Sequence, residues 1–167
     1  ISCAGGLSGT SRIPVEYQEM EGVVTEVLID GLNGGHSGAE IDKNRANANK
    51  LMGLFLYELG QKTAYSIKDL SGGTKDNAIT RSCKATLVLG EEDLAEAKIT
   101  AEKLQKDLRT EYAGSDEGIT ISVITGKEET VQALSMVSKE KVVFYLVHVP
   151  FGIEKMSGEI EGLVETS

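Results

Sequence analysis

Two histidines, His36 and His148, carry the imidazoles that could hold or donate a proton near neutral pH. His36 stands in Gly31-Leu32-Asn33-Gly34-Gly35-His36-Ser37-Gly38. Glycines on both sides let the backbone turn sharply and leave the imidazole unshielded. From such a loop an imidazole can donate to a developing oxyanion or hold a carboxylate. It can equally do no more than bond a nearby carbonyl. Asn77 lies in Gly72-Gly73-Thr74-Lys75-Asp76-Asn77-Ala78-Ile79-Thr80-Arg81. Its amide supplies donors and an acceptor, enough to orient a peptide group or to form an Asx turn feeding a hairpin. Arg81 could grip a carboxylate in a two-pronged fork, or stand on a strand surface. His148 ends an apolar run just before Pro150 and reads as a helix-end histidine near the negative pole of the dipole.

A self-contained active site is not evident around these residues. Neither histidine has Cys, Asp or Glu neighbours at metal-ligand spacing, so no complete zinc site, and no bound metal or other cofactor, is expected within the chain. The sequence has no Walker-type phosphate loop, no dinucleotide fingerprint after a strand and no nucleophile elbow. Ser37 follows His36 directly, but neighbours on an extended chain point apart and make no triad. The acidic stretch from Glu154 to Glu165 lacks the spaced Asp/Asn ladder of a calcium loop and reads as solvated surface.

Composition narrows the partners. Among 167 residues, 26 Asp and Glu against 17 Lys and Arg give a net charge of -9. Such a surface repels phosphate backbones and anionic lipid, which argues against nucleic acid and membranes as partners. The longest apolar run, Val142 to Val149, is too short to span a bilayer. Cys3 and Cys83 make neither a disulfide framework nor a metal knuckle; they read as small buried residues in a reducing, cytoplasmic compartment. The sequence opens without Met or a basic leader, so it is expected to be a piece of something longer.

The elements that must position these residues follow from periodicity. Leu7 to Gln18 reads as extended, with Pro14 pushing it to an edge. Glu21 to Leu32 is the clearest strand, with Val23, Thr25, Val27 and Ile29 on one face. Ala48, Leu51, Met52, Phe55 and Leu59 form the stripe of a helix over Ala46 to Leu59, with Gly60 as its stop. Ala64 to Leu70 is a weaker strand. Arg81 to Leu89 alternates through Cys83, Ala85, Leu87 and Leu89. Leu94, Ala97, Ala101, Leu104 and Leu108 mark a second helix, with Glu91, Glu92 and Asp93 at its positive end. Gly118 to Thr125 alternates again, Thr130 to Val149 reads as mostly helical, and the tail ends in a possible strand, Ile160 to Thr166. This order predicts an α+β, ferredoxin-like sandwich: an antiparallel sheet with two long helices on one face, the other face left to water or a partner, and an added C-terminal helical region.

Specific motifs go further than periodicity. Gly31-Leu32-x-Gly34-Gly35-His36-Ser37-Gly38-x-x-Ile41, followed by Arg45-x-Asn47-Ala48-x-x-Leu51, resembles the lid motif of the zinc metallopeptidase clan of dipeptidases, aminoacylases and glutamate carboxypeptidases. Within it the details are similar to the bacterial aminoacyl-histidine dipeptidase (cytosolic non-specific dipeptidase) family. Cys3-Ala4-Gly5-Gly6 resembles that family's exit from its catalytic domain, Gly72-Gly73-Thr74-x-x-Asn77-Ala78-Ile79 its Asn-Ala-Ile motif, and Gly162-Leu163-Val164-Glu165-Thr166-Ser167 the strand that re-enters the catalytic domain. The sequence departs from the pattern at Thr80, where Pro is usual, and at Ser82, where an acidic residue is usual.

The resemblance implies that residues 1–167 are one lid or dimerisation domain, cut from a two-domain dipeptidase. The parent would hold two zinc ions through residues outside this chain, act on dipeptides and form a homodimer; the isolated chain would be inactive. His36 matches a lid histidine that helps stabilise the tetrahedral intermediate. Asn77 matches a lid asparagine that contacts substrate, and Gly34, Gly35 and Gly38 match the turn glycines. Arg81 stays open between a substrate contact and a structural role. Two other readings carry no such parent: a stand-alone dimerisation module, and a small ferredoxin-like domain that binds amino acids.

Overall fold

In the computed structural model, residues 9–166 are described. Cys3, the Cys3-Ala4-Gly5-Gly6 stretch, the first residues of the extended segment and Ser167 lie outside them. The strands are β1 (Tyr17–Asp30), β2 (Gly35–His36), β3 (Tyr65–Gly72), β4 (Ala78–Ile79), β5 (Cys83–Leu89), β6 (Thr120–Leu134), β7 (Lys155–Met156) and β8 (Val164–Thr166). The α-helices are α1 (Ala48–Gly60), α2 (Leu94–Glu111) and α3 (Met136–His148), and short 3-10 turns cover Ile41–Lys43 and Glu91–Asp93.

β1 organises the main sheet because every second residue is apolar or β-branched. Val23, Thr25, Val27 and Ile29 are all buried on one face. Val27 stands between Ala85 and Val123, and Ile29 between Cys83 and Ile121, so one apolar row crosses three strands. The sheet order is β3-β5-β1-β6, with antiparallel pairing throughout. With α1 joining β1 to β3 and α2 joining β5 to β6, this is the expected ferredoxin-like arrangement. The face away from the core carries Glu26 and Lys84, paired at 3.1 Å, a half-exposed contact of small energetic worth.

The two long helices close the core. α2 buries Ala97, Ala101, Leu104 and Leu108 along the predicted stripe, each at most 3% exposed. α1 buries more than a stripe: Leu56 is as fully enclosed as Met52, Phe55 and Leu59. The cause is α3, which packs on α1 and gives it a second apolar contact face. Gly53 permits the approach; a Cβ there would lie 2.7 Å from the Leu146 Cβ. Lys50 Nζ then donates to the Val147 and Val149 carbonyls, at 2.6 and 2.7 Å, satisfying groups that the end of α3 leaves open.

Several predicted boundaries move. Residues 130–134 are strand, not helix: β6 runs on to Leu134 because Tyr17 to Glu21 pair with Thr130 to Leu134. The β-branched Thr130 and Val131 suit that ladder. α3 begins only after Ser135, whose Oγ accepts the Ser138 N–H at 3.3 Å as an N-cap. β1 correspondingly starts earlier than predicted, at Tyr17, and the described part of the extended segment before Gln18 is otherwise irregular. Gly60 is the last helical residue, not a left-handed stop; the chain turns after it, with the Lys62 and Thr63 N–H groups returning to the Leu59 carbonyl. The last strand is shorter than Ile160 to Thr166: residues 160–163 turn, and only Val164–Thr166 pairs, with Lys155–Met156.

Candidate functional site

The loop between β1 and α1 and the loop between β3 and β5 leave the same end of the sheet. They meet in the ladder of β2 with β4, where His36 faces Ala78 and Gly35 faces Ile79. The Ser37 N–H donates to the Asn77 carbonyl at 3.0 Å. Two stretches far apart in sequence, each carrying a candidate residue, are thereby joined into one unit. The Asn77 side chain is exposed and makes no hydrogen bond to the described residues.

The His36 imidazole is exposed, and its orientation is fixed from behind. Nδ1 accepts the N–H of Gly38 at 3.1 Å and that of Ala39 at 3.0 Å. Backbone amides can only donate, so Nδ1 must keep its lone pair and the proton of the neutral ring sits on Nε2. Nε2–H points outward, with no acceptor among the described residues. In this tautomer Nε2–H can donate to an external acceptor, as an oxyanion donor must.

The backbone around the ring is held by charge. Glu40 Oε2 accepts the His36 N–H at 2.9 Å, while Glu40 Oε1 meets Lys43 Nζ at 2.6 Å and Arg45 Nη1 at 3.3 Å. The Lys43 contact, and next to it the His36 N–H, bring the Glu40 carboxyl down to a pKa of about 2. Arg45 also donates to the Gly34 carbonyl. Gly34 has φ +63°, and a Cβ there would run into the Arg81 side chain. Gly35 leaves the room in which Arg45 and Glu40 approach. Gly38 has no positive φ, and a Cβ there would make only ordinary contact with the His36 ring, at 3.4 Å.

Arg81 packs its stem against Gly34 and donates from Nε to the Leu32 carbonyl at 3.3 Å. Its outer nitrogens have no partner among the described residues. Thr80, at the departure from the motif, is buried and structural: its carbonyl accepts the Ala48 N–H at 2.9 Å, tying this loop to the start of α1. Ser82 is exposed beside it.

One residue at this site escaped the sequence reading. Asp116, fully buried in the turn after α2, accepts the Asn33 N–H on Oδ1 at 2.6 Å and the Ala46 N–H on Oδ2 at 2.8 Å. Asn33 and Ala46 are the two ends of the loop that carries His36. Nothing in Gly114-Ser115-Asp116-Glu117-Gly118 distinguishes this carboxylate from a surface turn residue, and only the fold brings it here. Glu40 had a faint signal, an acid one helical turn after the histidine.

The remaining candidates lie elsewhere. His148 closes α3, with Nδ1 2.8 Å from the Phe144 carbonyl and the ring stacked on Phe144 at 4.1 Å. Cys83 is buried in the core, which pushes its thiol up to about 12. Among the described residues no group of three or more His, Cys, Asp or Glu side chains could hold a metal ion. These residues do not fit the zinc pair of the resemblance, and no chemical step can be drawn through it here. Among the described residues no helix is long and apolar enough to cross a membrane.

The chain is similar to known proteins, through a family model that spans this site and through relatives that match most of its length. The family model described as a peptidase dimerisation domain matches residues 29–116, from the end of β1 through Asp116. The cytosol non-specific dipeptidase of Escherichia coli (strain K12) is 30% identical over 169 aligned residues, covering 100% of this chain and 35% of that protein. The crystal structure of aminoacylhistidine dipeptidase from Vibrio alginolyticus superposes with a TM-score of 0.80 at 28% identity, over 89% of this chain and 32% of that one. The chain thus spans about a third of the length of each of these relatives. The ferredoxin-like sheet, the loop ladder and the match across residues 29–116 lead to one conclusion: the chain belongs to the peptidase dimerisation domain family.

Proposed function

We propose that residues 1–167 form the lid and dimerisation domain of a longer, cytosolic metallodipeptidase that cleaves dipeptides of the aminoacyl-histidine kind and works as a homodimer. The observation that carries this reading is the His36 ring: two backbone amides occupy Nδ1, so Nε2–H faces outward as a donor. The family membership and the two dipeptidase relatives support the reaction class.

In this reading the chemistry is shared. Any catalytic zinc is held by residues outside this chain. His36 donates from Nε2 to the oxygen that gains charge as the peptide carbonyl becomes tetrahedral, in its own subunit or across the dimer. In the same reading Asn77, joined to the same ladder, orients the peptide group, and Arg81, whose outer nitrogens have no partner among the described residues, meets a substrate carboxylate. A donor carried on a lid acts only when the lid closes, so closure both excludes water and completes the site.

The test compares the chain with its parent. The pure 167-residue chain, incubated with dipeptide and zinc, gives no turnover, while the longer protein hydrolyses the same dipeptide. Turnover by the pure chain would refute the proposal. Sedimentation of the longer protein as a concentration-independent monomer would remove its dimeric part.

A further inference from the structure

We propose that Asp116 is a positioning residue for His36: by holding both ends of the loop, its carboxylate sets where Nε2 stands. This rests on the reading of His36 given above. Loop residues 33–46 have no long ladder of their own; β2 is two residues long, and the 3-10 turn covers three. Fixing a flexible loop needs both ends anchored, and each anchor here is a charge-assisted bond to a buried carboxylate. Asp116 is 0% exposed, so water cannot replace either bond. The Asn33 bond is reinforced by the Asn33 side-chain amide, which donates to the Ser115 carbonyl. Asp116 is itself held, its N–H donating to the Tyr112 carbonyl at 2.9 Å at the end of α2. The position of the imidazole is thereby referred to α2 and the sheet, the rigid part of the fold.

The carboxylate form matters because both oxygens accept. In Asp116→Asn one oxygen becomes an NH2 group, which faces a backbone N–H and cannot accept from it. One end of the loop then comes loose while the buried volume is unchanged. A displacement of His36 by about 1 Å is enough to cost on the order of a hundredfold in rate.

A double-mutant cycle in the longer enzyme, with hydrogen exchange as a second readout, tests this. Asp116→Asn lowers kcat about tenfold or more with KM changed less than about twofold. In the His36→Ala background the same substitution costs less than about twofold, because the donor it positions is already gone. An equal loss in both backgrounds would overturn the proposal, since Asp116 would then act independently of His36. In the wild-type enzyme the Asn33 and Ala46 amides exchange as slowly as those in the core of β1. Exchange at the rate of exposed loop amides would overturn it without recourse to any variant, including the case in which Asp116→Asn fails to fold. If His36→Ala alone leaves kcat unchanged, the reading of His36 falls, and the positioning role falls with it even where slow exchange shows the anchor to be real.

Discussion

His36 and Ala78 stand opposite one another in a two-residue antiparallel ladder, and the Ser37–Asn77 bond beside it locks the pair in register. An imidazole and an amide from separate loops therefore move together. In the proposed role the Asn77 side chain, which is exposed and makes no bond to the described residues, contacts substrate. Asn77→Ala in the longer enzyme lowers kcat/KM about tenfold, the scale of a lost hydrogen bond to a peptide group, and leaves the melting temperature within a degree or so. A drop of several degrees would mean that Asn77 is a turn former.

Gly34 tests the turn that places His36. Its φ of +63° is strained for any side chain, and an added methyl meets the Arg81 stem. Gly34→Ala should destabilise by roughly 1–3 kcal/mol, seen as a lower denaturant midpoint at unchanged slope. A neutral result would show that the loop relaxes freely and sets no geometry.

Glu40 gives a pH signature. Its carboxyl is lowered from 4.5 to about 2, first by Lys43 and then by the His36 N–H. A depressed carboxyl stabilises the fold above its unfolded pKa, and that contribution fades as pH falls from about 4.5 towards about 2. The group is solvent-facing, so the effect on overall stability is small, but its titration is direct. By NMR the Glu40 carboxyl titrates near 2 in the wild type and moves back towards 4.5 in Lys43→Ala. A midpoint near 4.5 in the wild type would show that the ion cluster does not hold the Glu40 carboxylate.

Gly53 tests the packing of α3 on α1. In most helix interiors, replacing Gly by Ala stabilises by roughly 0.5–1 kcal/mol. Here the new methyl would lie 2.7 Å from the Leu146 Cβ, and overpacking costs roughly 1–3 kcal/mol. The net effect of Gly53→Ala is destabilising, read as a lower melting temperature. A gain would mean that α3 yields at little cost.

The parts of this structure that were legible in the sequence are those whose signal is local. The alternation of Val23, Thr25, Val27 and Ile29, and the spacing of Ala97, Ala101, Leu104 and Leu108, reflect burial on one face and can be read residue by residue. His36 and Asn77 stand out in consecutive glycine-rich motifs, and the structure brings these two stretches into one ladder. What escaped depends on distant partners. Residues 130–134 are strand only because Tyr17 to Glu21 lie beside them. Leu56 is buried on a helix against which α3 also packs. Asp116 anchors a loop whose ends lie 83 and 70 residues before it. No periodicity records a bond of that span.

In the proposed function this chain contributes one hydrogen-bond donor, His36 Nε2, to chemistry performed with residues beyond it. The direct measurement is kcat together with bound zinc for His36→Ala in the longer enzyme. The expected result is a fall in kcat of about 10²–10³-fold, typical of a lost oxyanion donor, with metal content unchanged. A loss of bound zinc in proportion to activity, or an unchanged kcat, would contradict it.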